Sequence, residues 1–168
     1  RKEGHRVFIL TGDKYKHNKY EKVFEKYEFP YDSENLNEIL ESVNPDVTIL
    51  MGAFDTNYHW NGEERENVRF VSHLVNILVA HSRSKKTKLI FLSSDEVYSG
   101  NYTHDIEEDE KFSGSGLKAE CLSQAEEMCR NFRENRGMDL IVLRLDHFYG
   151  IPKGKKDLNH IVARMCLE

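Results

Sequence analysis

The sequence predicts an α/β domain in which a doubly wound parallel sheet is flanked by helices. Two observations predict it. Four short runs, Arg6–Thr11, Asp46–Met51, Lys88–Ser93 and Leu140–Leu145, are rich in Val, Ile, Leu and Phe and lack polar alternation. Continuous apolar runs of strand length are expected where both faces of a strand are covered, as in a parallel sheet. Helix-period patterns separate these runs, and strand–helix–strand alternation gives parallel strands joined by right-handed crossovers.

The elements follow in order. After the first strand, Asn18–Tyr27 reads as a weak helix, and Phe29-Pro30-Tyr31-Asp32 is what remains for a shortened second strand. Ser33–Val43 reads as a short helix. Asn44-Pro45-Asp46 ends it and starts the next strand, because a residue before proline avoids the helical region. Glu63–Ser82 sets Val68, Val71, Val75, Leu78 and Val79 on one stripe. Leu117–Asn135 does the same with Cys121, Ala125, Met128 and Phe132, and Gly137 closes it, where a left-handed residue costs least. Between them Ser99–Ser115 is a long loop, acidic from Asp105 to Glu110; a connection of that length is usually functional or mobile.

Composition bounds the rest. A chain of 168 residues fits one domain, taken as residues 1–168, and 39% apolar content is enough to fill its core. The 24 basic and 29 acidic side chains leave a net charge of −5. Basic residues are dispersed apart from short runs near Arg83–Lys88 and Lys153–Lys156, so a nucleic-acid groove is not expected. No apolar run approaches the ~20 residues of a bilayer-spanning helix, so no membrane contact is expected either. Cys121, Cys129 and Cys166 are odd in number and lack ligand spacing, and Cys121 and Cys129, eight apart in a helical stretch, read as reduced core residues of a cytoplasmic protein. The eight histidines show no metal spacing, and no metal is expected. The chain opens at Arg1 and stops inside an apolar-periodic stretch, Asp157–Glu168, as expected of a piece cut from a longer polypeptide.

Ligands of open parallel sheets bind beyond the carboxyl ends of the strands, which selects Thr11–Asn18, Gly52–Asn57, Ser93–Gly100 and Asp146–Pro152. The third is the most specific. Leu92-Ser93-Ser94-Asp95-Glu96-Val97-Tyr98 leaves a buried strand and brings a hydroxyl and two carboxylates to its mouth. Leu143-Arg144-Leu145-Asp146-His147-Phe148-Tyr149-Gly150-Ile151-Pro152 does similarly from the next strand, and Asn44-Pro45-Asp46-Val47 runs into an apolar strand. In this order and spacing, the three segments resemble the extended short-chain dehydrogenase/reductase family, the NAD-dependent epimerases and dehydratases of nucleotide sugars. The resemblance covers about Arg6 to Pro152.

That resemblance implies a Rossmann-like fold, NAD or NADP as cofactor and a nucleotide sugar as ligand. It puts Ser94 on the catalytic hydroxyl that hydrogen-bonds the sugar, and Asp95 and Glu96 where the dehydratase branch keeps an acid and a base. Two carboxylates beside a hydroxyl suit proton removal and return, since crowding or burial separates their pKa values. Lys118 falls on the family lysine that holds the nicotinamide ribose. The remaining cofactor contacts implied are Thr11, Gly12, Asp32, Gly52, Ala53 and Ser93. Family members hold the sugar nucleotide largely through a second lobe, which is expected to be missing or trimmed here, and often dimerise through helices matching Glu63–Ser82 and Leu117–Asn135. Similar eroded domains occur fused to bacterial sugar-phosphate transferases that build surface polysaccharides, so a homodimer or a fused partner domain is expected.

The sequence departs from the family pattern at its chemical centre. The family pairs a tyrosine with a lysine four residues later; four before Lys118 stands Gly114, and a one-residue deletion would bring Ser115 there instead. Neither carries a phenol, and a serine hydroxyl is far too weak an acid to replace one at neutral pH. The phosphate-binding turn after the first strand keeps Gly12, but Tyr15 and Asn18 replace its other two glycines. The family's Asn-x-Ala-Ala turn reads Met51-Gly52-Ala53-Phe54. Three functions stay open: an active NAD(P)-dependent epimerase or dehydratase, a non-catalytic module binding a nucleotide sugar or partner domain, and a structural spacer.

Overall fold

The structure, a computed structural model, describes residues 4–11, 25–28, 33–51, 64–84, 87–98 and 105–145. Strand β1 (Phe8–Thr11) pairs in parallel with β2 (Glu25–Glu28). Helix α1 (Ser33–Val43) leads to β3 (Val47–Met51), and α2 (Glu64–Arg83) to β4 (Lys88–Ser94). A single 3-10 turn, Asp95–Tyr98, follows β4; then come α3 (Leu117–Arg136) and β5 (Leu140–Leu145). The ladders form a β1-β2 sheet and a β3-β4-β5 sheet, every pair parallel. The α/β class is as the sequence predicts.

One element differs. Residues Glu25–Glu28 are a strand, although the helix expected over Asn18–Tyr27 would include three of them, and the second strand thus lies just before the tetrapeptide Phe29–Asp32. A four-residue strand with one neighbour takes its stability from backbone bonds, which a side-chain pattern does not record. Glu-Lys-Tyr-Glu therefore carried no strand signal. Residues 18–24 and the stretch Asp157–Glu168 lie outside the described residues.

The helix ends follow local chemistry. Asn44 takes a left-handed conformation (φ 46°), and its N–H donates to the Leu40 carbonyl at 2.7 Å, closing α1 before Pro45. Gly137 does the same for α3 at φ 64°, donating to the Phe132 carbonyl. Asparagine and glycine are the residues that occupy this region at least cost.

Burial alternates along β4, so that Leu89, Phe91 and Ser93 face inward. Leu89 and Phe91 meet Leu74 and Leu78 of α2, Cys121, Leu122, Ala125 and Cys129 of α3, and Val97 and Tyr98 of the turn. A second cluster joins Leu36 and Leu40 of α1 to Ile77 and Ala80 of α2, with Leu10 of β1 and Leu50 of β3 packed on it. Fully burying a side chain such as Phe91 or Leu78 contributes roughly 2–3 kcal/mol, so this layer fixes the end of β4 firmly. The opposite face of the β3-β4-β5 sheet is less covered than continuous apolar runs led one to expect: Val47, Ile49, Ile141 and Leu143 are exposed. Among the described residues, no helix is long and apolar enough to cross a membrane.

Candidate functional site

Strand β4 delivers the central segment. Its last two residues, Ser93 and Ser94, point to opposite sides, as pleating requires. Ser93 is buried and donates its hydroxyl to Glu126 Oε1 of α3 at 2.5 Å. Ser94 sits at the mouth; its hydroxyl donates to Asp95 Oδ1 at 2.9 Å and accepts the Glu96 N–H at 3.3 Å. The acidic pair thus enters the 3-10 turn with Ser94 acting as its cap.

Lys118 opens α3 as the sequence predicts, and its ammonium lies 2.5 Å from Glu96 Oε1. Both side chains are partly withdrawn from water, Lys118 at 16% exposure and Glu96 at 33%. The structure therefore unites Ser94, Asp95, Glu96 and Lys118 in one cluster, with lysine and glutamate joined to each other. Ser93 lies beneath this cluster, its hydroxyl committed to α3. Thr11 ends β1, where its backbone pairs opposite Glu28. Gly12, Asp32, Gly52 and Ala53 lie outside the described residues, as do Tyr15, Asn18 and the segment Asp146–Pro152.

Gly114 has a structural reason to be glycine. Its N–H and that of Ser113 both donate to the Val97 carbonyl, at 2.8 and 3.0 Å. A Cβ added there would stand 2.3 Å from the Glu96 carbonyl oxygen and 2.7 Å from the Ala119 Cβ. The first contact is with backbone, which cannot swing aside. No side chain of any kind fits at the place four residues before Lys118. Ser115, the alternative, is exposed. The nearby phenol of Tyr98 is also engaged: it donates to the Glu108 carbonyl at 3.2 Å and accepts from Arg144.

Sequence reasoning missed Glu126 and Arg144. Glu126 is 5% exposed, and Arg144 of β5 grips it through Nε (3.0 and 3.2 Å) and Nη2 (2.8 Å). Burial pushes the Glu126 carboxyl above its usual range, while the Ser93 hydrogen bond and the Arg130 charge pull the other way. Burial lowers the Arg144 guanidinium from its ordinary value. The available signal was Arg144 itself: a charge inside the apolar strand Leu140–Leu145 requires an opposite charge on the element packed over it. Neither cysteine of α3 is set up as a nucleophile, since burial raises the Cys121 thiol and pushes Cys129 up to about 12. Among the described residues no cluster of His, Cys, Asp or Glu could hold a metal ion.

Comparison with known proteins places this geometry. The model of the NAD dependent epimerase/dehydratase family matches residues 1–168. Among solved structures, UDP-glucose 4-epimerase of Thermotoga maritima with UDP-glucose is similar at TM-score 0.73 and 17% identity, over 97% of this chain and 54% of that one. The NAD complex of UDP-glucose 4-epimerase from Brucella ovis gives 0.72 and 18%, over 85% and 45%. The NAD complex of dTDP-glucose 4,6-dehydratase from Bacillus anthracis gives 0.72 and 17%, over 98% and 53%. The chain thus spans about half the length of these structures. No curated protein matches it.

Proposed function

The chain belongs to the NAD dependent epimerase/dehydratase family, and from that premise we propose that it is a degenerate member serving nucleotide-sugar metabolism without hydride transfer. It acts as a non-catalytic module that recognises a nucleotide sugar or a partner domain of a longer polysaccharide-synthesis protein. The observation that carries this reading is the seat of Gly114, where a Cβ would meet the Glu96 carbonyl oxygen at 2.3 Å. The position that must carry the proton-exchanging phenol is closed by the protein's own backbone. Tyr98, the nearest described phenol, holds a carbonyl and a guanidinium instead.

The nicotinamide end of NAD does not fit the described residues well. Lys118, which would hold the ribose, is paired with Glu96. A ribose diol would have to displace a carboxylate from a half-buried ammonium, exchanging an ion pair for hydrogen bonds to uncharged hydroxyls and leaving the Glu96 carboxylate without its cation. A cytoplasmic setting accords with the free buried thiols of Cys121 and Cys129. Self-association through the outer faces of α2 and α3 also belongs to this reading.

The test uses both ligand classes. With UDP-glucose and NAD together, neither epimerised sugar nor reduced nicotinamide is expected after prolonged incubation. UDP-glucose at millimolar concentration is expected to raise Tm, because a ligand that binds only the folded state stabilises it. Turnover of the sugar would overturn the proposal, and absence of any Tm shift would leave the partner domain as the remaining ligand to titrate.

A further inference from the structure

Residues 105–116 form a strap that lies on the 3-10 turn at the end of β4 and runs into α3. Most of its side chains lie at the surface, Asp105, Glu107, Glu108, Asp109, Lys111 and Ser115 among them. Its backbone is nevertheless seated tightly, through the Ser113 and Gly114 N–H groups on the Val97 carbonyl and the Ser113 hydroxyl on the Tyr98 carbonyl.

One guanidinium reaches the strap from below. With Nε and Nη2 of Arg144 taken by Glu126, Nη1 is left to donate to the Glu108 carbonyl at 2.7 Å and to the Tyr98 phenol. The flat faces are used as well: the guanidinium carbon lies 4.9 Å from the Tyr98 ring centre and 5.2 Å from that of Phe112. Phe112 is itself a strap residue packed on the main core. Arg144 therefore touches a helix, a turn and two points of the strap at once. Its planar five-donor fork permits this, whereas a lysine ammonium has neither the spread nor the flat faces.

We propose that Arg144 is the positioning residue of this strap. Held in orientation by buried Glu126, it fastens the Glu108 carbonyl and the Phe112 ring. That keeps Gly114 on the backbone of Glu96 and Val97, and because Glu96 is the partner of Lys118 it also limits access to that ammonium. The pairing of Arg144 with Glu126 is thus more than a balance of buried charge: it sets where the strap lies. The inference stands on these contacts and holds whether or not the chain binds a dinucleotide.

Two substitutions test it by hydrogen–deuterium exchange and by acetylation of Lys118 with a small amine-reactive ester. Arg144→Lys keeps a charge for Glu126 but loses the fork. It is expected to speed exchange across residues 105–116, Ser113 and Gly114 included, at least tenfold, and Lys118 acetylation severalfold. Amides of Phe91 and Ala125, in the core of β4 and α3, should exchange as before. Phe112→Ala leaves the Arg144–Glu126 pair intact and should loosen the same strap amides to a smaller degree; it carries the test alone if Arg144→Lys fails to fold. Unchanged strap exchange in the variants that fold would overturn the proposal, since the strap would then be held by its own backbone bonds. Equal loosening of strap and core would overturn it too, by making Arg144 a residue of the general fold.

Discussion

Gly114→Tyr is expected to destabilise the domain severely and to create no proton relay. The obstacle lies at the first atom of the new side chain, because any Cβ would press into the Glu96 carbonyl oxygen and the Ala119 Cβ, at 2.3 and 2.7 Å. Relief requires moving residue 114 off the turn, which breaks its 2.8 Å bond to the Val97 carbonyl and pulls on that of Ser113. Overpacking usually costs ~1–3 kcal/mol; with a backbone clash and a lost hydrogen bond added, about 4 kcal/mol is expected. In a chain of this size that is a Tm decrease of ~8–16 °C. Gly114→Ala separates the two parts of the argument: it should cost most of the same loss without the bulk of the ring. Thermal melts of both variants check this. A tyrosine variant as stable as the parent would mean that the strap moves aside freely, and the case against a phenol at this place would fail.

Acid should weaken the fold through His81. This residue stands in the last turn of α2, is 3% exposed, and its Nδ1 has no hydrogen-bond partner among the described residues. Burial lowers its pKa from 6.5 to about 4. The unfolded chain therefore takes up a proton at a pH where the folded chain does not, and stability falls as pH falls. The contribution of neutral His81 is fully present above pH ~6.5 and is lost progressively down to pH ~4, at ~1.4 kcal/mol per pH unit and about 3 kcal/mol in all. Carboxylates titrate over the lower part of this window, so the difference between two proteins is the informative quantity. Denaturant melts of the parent and of His81→Leu from pH 8 to pH 4 should diverge in slope, with the variant flatter. Parallel curves would show that His81 gains a proton in the fold as easily as outside it.

Much of the architecture was legible in the sequence, for a physical reason. Strands β3, β4 and β5 each carry an apolar run and helices α1, α2 and α3 each bury an apolar face, and each appears within a residue or two of its expected limits. Strand β2 was not legible, because Glu25-Lys26-Tyr27-Glu28 has no apolar period and pairs through its backbone. The candidate site divides in the same way. The family resemblance of their segments already brought Ser94, Asp95, Glu96 and Lys118 together. Two features could not: that Glu96 turns to Lys118, and that Ser93 turns from the mouth to Glu126. The first depends on which face of a short turn, the second on which face of a strand end, meets a helix more than twenty residues later. Arg144 offered a hint, being a charge in an apolar strand, but its reach to Glu108 and Phe112 depends on the path of a loop that carries no periodic signal.

The claim on which this account rests is that the chain's own groups fill the nicotinamide end of the site, Glu96 holding Lys118 and the backbone of Gly114 closing the phenol position. Calorimetric titration of the protein with NAD tests it most directly. The account predicts no saturable heat below millimolar concentration, a binding free energy weaker than about −4 kcal/mol. A micromolar Kd that Lys118→Ala weakens would contradict it, since the lysine would then be leaving its glutamate to hold the cofactor.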